Sequence, residues 1–145
     1  MIVYLGADHA GFALKEHLKK FLYNKGYIVR DLGAHKLLKT DDYPDYGAKV
    51  AKAVQKGGKG ILVCGSAEGI CIVANKFKGI RATPVWTVQN AKLSRQDNDA
   101  NILCLSGWQI SKKKAEKVAL TWLKTSFSEK ERHRRRIRKI SALEK

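Results

Sequence analysis

Short apolar runs alternate along the chain with segments whose apolar residues recur every three or four positions. The apolar runs are typical of strands buried in a sheet, and the spaced segments are typical of amphipathic helices. The predicted strands are Ile2–Gly6, Ile28–Val29, Ile61–Cys64, Ile80–Pro84 and Ile102–Leu105. The predicted helices are Phe12–Lys25, one from Pro44 through Val54, one around Ile70–Asn75, Gln89–Arg95, Ser111–Lys124 and a last one within Lys130–Leu143.

Strands separated by helices predict an α/β fold. We expect a three-layer sandwich, with a five-stranded parallel sheet, helices on both faces and a basic C-terminal helix. A length of 145 residues predicts one domain, residues 1–145. Ligands of such sheets bind beyond the carboxyl ends of the strands. The loops after Leu5, Val63 and either Ile80 or Leu105 are therefore the candidate site.

Composition excludes several classes of protein. A hydrophobic fraction of 44% with 12 Gly and 2 Pro excludes a disordered or collagen-like chain. No apolar run approaches the roughly 18 residues of a membrane span, so no membrane association is expected. The first residues predict a strand and not a signal peptide. Three Cys without paired spacing argue against a disulfide framework, and we expect a cytoplasmic protein.

The charge is strongly positive, with 29 Lys and Arg against 13 Asp and Glu and a net charge of +16. Such a field attracts anions, among them nucleic acids, acidic proteins and phosphorylated metabolites. The basic run Lys130–Lys145 carries much of the surplus. Arg132 and Arg136 lie four residues apart and share a helix face, where they could grip one phosphate or simply be solvated.

Ionisable residues follow the first strand. Asp8 could cap the next helix or act on a ligand. His9 titrates near neutrality and could serve as acid, base or cation, or lie exposed without a role. Further along, Asp97 and Asn98 lie in a segment dense in hydrogen-bonding groups, which could hold sugar hydroxyls or form an ordinary helix end.

The loop after the third strand combines a thiol with small residues. Gly65 and Gly69 flank Ser66 and permit close approach of the backbone to a ligand, and the N–H groups of the following helix favour an oxyanion or phosphate. The same helix end could lower the pKa of the Cys64 thiol, but a small buried Cys that closes a strand is the favoured interpretation. The other two cysteines have no partners at zinc-ligand spacing, and we expect them in the core.

Several motifs in this order resemble the ribose-5-phosphate isomerase B family, which includes the subunits of galactose-6-phosphate isomerase. The resemblance covers nearly the whole chain. The motifs are Gly6-Ala7-Asp8-His9-Ala10-Gly11, Asp42-Tyr43-Pro44, Cys64-Gly65-Ser66, Ala74-Asn75-Lys76, Gly79-Ile80-Arg81-Ala82, Leu93-Ser94-Arg95-Gln96, Asn98-Asp99-Ala100-Asn101 and Arg132-His133 with Arg136.

The resemblance implies a Rossmann-like fold and an aldose–ketose isomerase of a phosphorylated sugar, with no metal and no cofactor. The expected substrate pair is ribose 5-phosphate and ribulose 5-phosphate. A proton moves between C1 and C2 through an enediolate. The family acts as a homodimer or homotetramer, with active sites between two subunits.

The resemblance also implies roles for individual residues. Cys64 matches the thiol base, because the alternative base, a Glu in the position of Ile70, is absent. Ser66 lies where backbone amides stabilise the enediolate, and Asp8 handles the sugar ring or a hydroxyl. The phosphate-binding positions are His9, Arg132 and Arg136, and those lining the sugar are Tyr43 and Asn98, with Gly65 and Gly69 in the loop between.

Two positions depart from the family pattern. Asp97 replaces the His that opens the furanose ring, and an ionised carboxylate seldom donates a proton. Trp108 replaces an Arg, and a Trp stacks on sugar faces or packs in an interface. The alternatives are therefore an isomerase of another sugar phosphate or of an open substrate, and a non-catalytic basic protein that binds nucleic acid through Arg132–Lys139. The latter is disfavoured because the chain contains no known nucleic-acid module.

Overall fold

The computed structural model describes residues 1–144, in which five strands form one parallel sheet of order β2-β1-β3-β5-β4. The strands are β1 (Ile2–Ala7), β2 (Ile28–Asp31), β3 (Lys59–Cys64), β4 (Ala82–Pro84) and β5 (Ile102–Ser106). The helices are α1 (Phe12–Asn24), α2 (Tyr43–Val54), α3 (Glu68–Ala74), α4 (Val88–Asn98), α5 (Lys112–Lys124) and α6 (Glu131–Ser141). The predicted α/β sandwich is confirmed, with shifts of a few residues at element ends.

Helices cover both faces of the sheet because the strand side chains alternate between two apolar layers. On one face, Leu18 of α1 and Trp122 of α5 are fully buried in the same cluster as Leu5 of β1. On the other face, Val50 of α2 and Ile70 of α3 are fully buried in a second cluster. The sheet is thus the middle of three layers.

Two helices begin at polar residues that cap their N-termini. The Thr87 hydroxyl accepts the Asn90 N–H at 3.0 Å and starts α4, and Ser111 accepts the Lys114 N–H at 3.2 Å and starts α5. Within Glu131–Ser141, by contrast, the only buried residue is His133. Helix α6 therefore exposes most of its basic surface. None of the helices in residues 1–144 is long and apolar enough to cross a lipid bilayer.

The strand order reverses between β1 and β3. After β1 the chain forms β2 on one side of the sheet, and after β3 it forms β4 and β5 on the other side. Such a change of direction opens a crevice at the carboxyl ends of β1 and β3. Ala7 pairs with Val63, and Cys64 pairs with Ser106, so the loops after β1, β3 and β5 meet at one edge of the sheet.

Candidate active site

A cavity of about 440 Å³ opens at this crevice, a volume suited to a small metabolite. It brings together the residues predicted in the loops after β1 and β3, which the sequence separates by more than 50 positions. The lining residues are Asp8, His9, Ala10, Tyr43, Cys64, Gly65, Ser66, Glu68, Gly69, Ile72 and Trp108.

The Cys64 thiol lies at the end of β3 against the turn into α3. The residue is only 3% exposed, yet it contributes to the cavity wall. Burial raises the pKa of the thiol, and the negative charge of Asp8 raises it further. Hydrogen bonds from the N–H groups of Ile70, Ala67 and Ser66 lower the pKa, but by less than burial raises it. Of the two interpretations, the structure favours the buried Cys that closes a strand, because desolvation outweighs the backbone dipoles.

A tight turn holds these N–H groups beside the sulfur. Ala67 has a φ of 74°, in the left-handed region that only Gly adopts freely. The Ser66 hydroxyl accepts the Glu68 N–H at 3.3 Å and closes the turn. The turn therefore brings the N–H groups of Ser66, Ala67 and Ile70 close to the Cys64 sulfur.

The two glycines of the turn each face an aromatic ring. A methyl group on Gly65 would lie 2.5 Å from Cζ2 of Trp108, and one on Gly69 would lie 2.6 Å from Cζ of Tyr43. Real side chains do not approach so closely, so a larger residue at either position would displace the aromatic ring. Part of the space that the sequence analysis assigned to a ligand is thus filled by Trp108 and Tyr43.

The pKa values of Asp8 and His9 are both raised, but for different reasons. Asp8 is 5% exposed, and burial raises its pKa although the Gly11 N–H donates to Oδ1 at 3.1 Å. His9 is exposed, and its Nδ1 lies 2.8 Å from Oδ1 of Asp41. This hydrogen bond raises the pKa of His9 and favours its cationic form at the cavity. Asp41 was missed by the sequence analysis, because a carboxylate within a long polar loop carries no distinguishing signal.

The other four predicted site residues lie away from this cavity within one copy of the chain. Asp97 and Asn98 end α4, and Arg132 and Arg136 are exposed on α6. Among residues 1–144, none of these four lines the cavity. Asp97 instead places Oδ1 3.5 Å from Nδ1 of His133. A single copy of the chain therefore does not bring them to Cys64.

His133 is a further residue that sequence reasoning did not single out for a role of its own. It is 3% exposed, and its Nε2 accepts a hydrogen bond from Nε of Arg132 at 3.0 Å. Its Nδ1 lies 2.8 Å from the Ser128 hydroxyl.

The three cysteines are free thiols, and Cys71 and Cys104 are buried as predicted. In the part of the chain described, no His, Cys, Asp or Glu side chains form a cluster suited to a metal ion.

Comparison with known proteins finds chains of the same fold. Residues 3–140 match the family model of the ribose/galactose isomerases. The structure of ribose-5-phosphate isomerase B from Clostridium thermocellum superposes with a TM-score of 0.96 at 42% identity, covering 99% of this chain and 97% of that one. The Mycoplasma genitalium ribose-5-phosphate isomerase B with bound ribulose-5-phosphate gives a TM-score of 0.94 at 38% identity, covering 97% and 94%.

A relative with a different named substrate is also similar. The 4-deoxy-4-sulfo-D-erythrose isomerase of Clostridium sp. (strain MSTE9) is 37% identical over 131 residues, which cover 89% of this chain and 82% of that protein. Relatives of this chain are therefore named for more than one sugar substrate. With nearly the whole sequence matched by the family model and by solved structures, this chain belongs to the ribose/galactose isomerase family.

Proposed function

We propose that this protein is an intramolecular oxidoreductase that interconverts ribose 5-phosphate and ribulose 5-phosphate. The observation that carries the proposal is the Cys64 sulfur, which lies in a cavity of about 440 Å³ beside converging backbone N–H groups. The relative with bound ribulose-5-phosphate supports the substrate pair. Family membership favours this enzyme over the nucleic-acid-binding alternative.

The reaction is a proton transfer within the open-chain sugar. The Cys64 thiolate removes the proton from C2 of the aldose, and the electrons of the C–H bond form the enediolate. Backbone N–H groups at Ser66 and Ala67 stabilise the negative oxygen. The hydroxyl proton of O2 passes to O1 at the enediolate, and the thiol returns the carbon-bound proton to C1. This yields the ketose and regenerates the thiolate, so no redox partner is required.

The phosphate needs more positive charge than one copy of the chain supplies. Among the lining residues, His9 is the only basic side chain, whereas a phosphate carries about two negative charges. We infer that a second copy contributes Arg132 and Arg136, with Asn98 at the sugar, so that the active unit is a homodimer or homotetramer with sites between subunits. The exposure of these residues on α4 and α6 supports this arrangement. The three free thiols support a cytoplasmic location.

A second candidate substrate is an open-chain aldose with a terminal anion. Asp97 replaces a ring-opening His, and an ionised carboxylate accepts a proton more readily than it donates one. A four-carbon aldose substituted at C4 has no hydroxyl that can close a five-membered ring, so it needs no ring opening. The similarity to an isomerase of a 4-sulfo sugar favours this candidate.

The test is conversion of ribose 5-phosphate by the wild type and by Cys64→Ala. We expect the variant to lose about 10³-fold in kcat, as for removal of a general base. Cys71→Ala is the matched control, because Cys71 is buried outside the cavity. Retained turnover in a folded Cys64→Ala protein would refute the mechanism.

Comparing ribose 5-phosphate with erythrose 4-phosphate separates the two substrates. A higher kcat/KM for the four-carbon aldose supports the second candidate. Increased turnover of ribose 5-phosphate in Asp97→His also supports the second candidate, because it shows that ring opening limits the wild type on a furanose. Turnover that Asp97→His does not increase supports the first candidate.

A further inference from the structure

Trp108 lies directly against the turn that carries the thiol. Three atoms of its indole, Cζ2, Cη2 and Cε2, lie 2.5, 2.6 and 2.7 Å from the position that a methyl group on Gly65 would occupy. The ring therefore packs on the α-carbon next to Cys64. Only Gly at position 65 allows this contact.

Hydrogen bonds fix the backbone of Trp108 to the same turn. The Gly107 N–H donates to the Cys64 carbonyl at 2.8 Å, and the Trp108 N–H donates to the Gly65 carbonyl at 3.3 Å. The buried Ser106 hydroxyl also donates to the Gly65 carbonyl, at 2.6 Å. These bonds tie the backbone of Trp108 to the strand end that carries Cys64.

The outer part of the indole remains open. Trp108 is 73% exposed and lines the cavity, whereas Trp122 is fully buried and Trp86 is half-buried with Nε1 bonded to Gln109. An aromatic ring that is held on one side and open on the other is a surface for a ligand.

The chemistry of the surrounding wall defines what the ring can contact. Of the residues that line the cavity, none is an Arg or a Lys, and the cationic side chain that they offer to the anionic end of a sugar phosphate is His9. The face of an aromatic ring is electron-rich and attracts the weakly positive hydrogens of C–H groups. A sugar carries such hydrogens along its carbon chain.

We propose that Trp108 is a specificity-determining residue, on whose indole the C–H face of the substrate's carbon chain stacks beside Cys64. This inference rests on the proposed function of the same site and names the contact that orients the sugar. The contact exists before and during proton transfer, so it contributes to binding more than to the chemical step. It also favours substrates whose carbon chain bears few charged groups near C1 and C2.

The kinetic test compares Trp108→Ala and Trp108→Phe with the control Trp86→Phe, which lies outside the cavity. For Trp108→Ala we expect the KM for ribose 5-phosphate to rise about tenfold, equivalent to an aromatic contact of about 1.4 kcal/mol, with kcat changed less than about twofold. Trp108→Phe should keep most of the affinity. An unchanged KM in Trp108→Ala, or a loss confined to kcat, would overturn the inference.

A binding measurement separates this inference from the proposed reaction. In a Cys64→Ala background, titration with ribose 5-phosphate should change the tryptophan fluorescence, and the change should vanish in Trp108→Phe but persist in Trp86→Phe. A signal that persists without Trp108 overturns the inference. Failure of the wild type to isomerise any aldose phosphate instead overturns the proposed function, whereas a signal confined to Trp108 still supports the contact.

Discussion

The Nε–H of Arg132 donates a hydrogen bond to Nε2 of the buried His133, at 3.0 Å. Because an Arg is always a donor, Nε2 is the acceptor and the ring proton is assigned to Nδ1, which donates to the Ser128 hydroxyl at 2.8 Å. His133 thus anchors α6 and fixes the guanidinium that we place at the substrate phosphate.

His133→Ala should therefore weaken substrate binding. We expect the KM for ribose 5-phosphate to rise about tenfold, the effect of losing one hydrogen bond to a charged group, with a smaller change in kcat. Arg135→Ala is the matched control, because Arg135 is exposed on the same helix and has no assigned role. Steady-state kinetics of both variants tests this prediction. Equal effects of His133→Ala and Arg135→Ala on KM would contradict the inference that His133 positions Arg132.

The pH dependence of the reaction should follow the Cys64 thiol. Burial holds the pKa of this thiol above its ordinary value of 9.0, so the thiolate fraction rises with pH across the neutral range. We expect kcat/KM to increase about tenfold per pH unit between about pH 7 and 8.5. A pH–rate profile measured in buffers of constant ionic strength tests this, and a plateau beginning below pH 7 would show that another group is the base.

Acid should destabilise the protein through Asp31. Its carboxylate accepts two bonds from Nζ of the fully buried Lys15, at 2.9 and 2.8 Å, and a third from Lys19. These ammonium groups, against the opposing effect of burial, lower the pKa of Asp31 from 3.8 to about 2. A lowered folded-state pKa gives stability that is present above about pH 4 and is lost as the pH falls towards 2, about 2 kcal/mol in all.

Removing the carboxylate tests the same interaction. Asp31→Asn should reduce the free energy of unfolding by about 3 kcal/mol at pH 7, because it leaves the buried Lys15 charge poorly compensated. Glu129→Gln removes an exposed partner of Arg134 and should change stability little. Urea unfolding of both variants makes the comparison, and similar midpoints would contradict the assignment.

Gly26 gives a prediction about the backbone alone. It follows α1 with a φ of 84°, and a methyl group there would meet nothing within 4 Å. Gly26→Ala should cost about 1 kcal/mol through conformational strain without any clash. Gly26→Asn should cost less, since Asn tolerates this region. Thermal unfolding that ranks the two variants in the reverse order would refute this explanation.

The sequence predicts the fold well because local signals agree with the final packing. Apolar runs bounded by Gly placed all five strands, and the rule for parallel sheets placed Asp8 and Cys64 at one edge. The net pKa shift of Cys64 was beyond the sequence, because it depends on how much water the folded chain removes from the sulfur. The contact of Trp108 with Gly65 was equally hidden, since it joins loops more than 40 residues apart.

Residues on α6 show a second limit. His133 lies four residues before Ile137 and seven before Ile140, a spacing that marks one side of a helix. That spacing could have identified His133 as the buried residue. It could not have shown that Arg132 and Arg136 lie away from the cavity of their own chain, because periodicity indicates a face without indicating what that face meets.

The elevated pKa of Cys64 also governs how the protein tolerates chemical attack. Peroxides and alkylating agents react with thiolates far faster than with thiols. A sulfur that is 3% exposed and protonated in the resting protein therefore offers these reagents little to react with. We therefore expect the burial of Cys64 to slow its oxidation and alkylation in the protein without substrate.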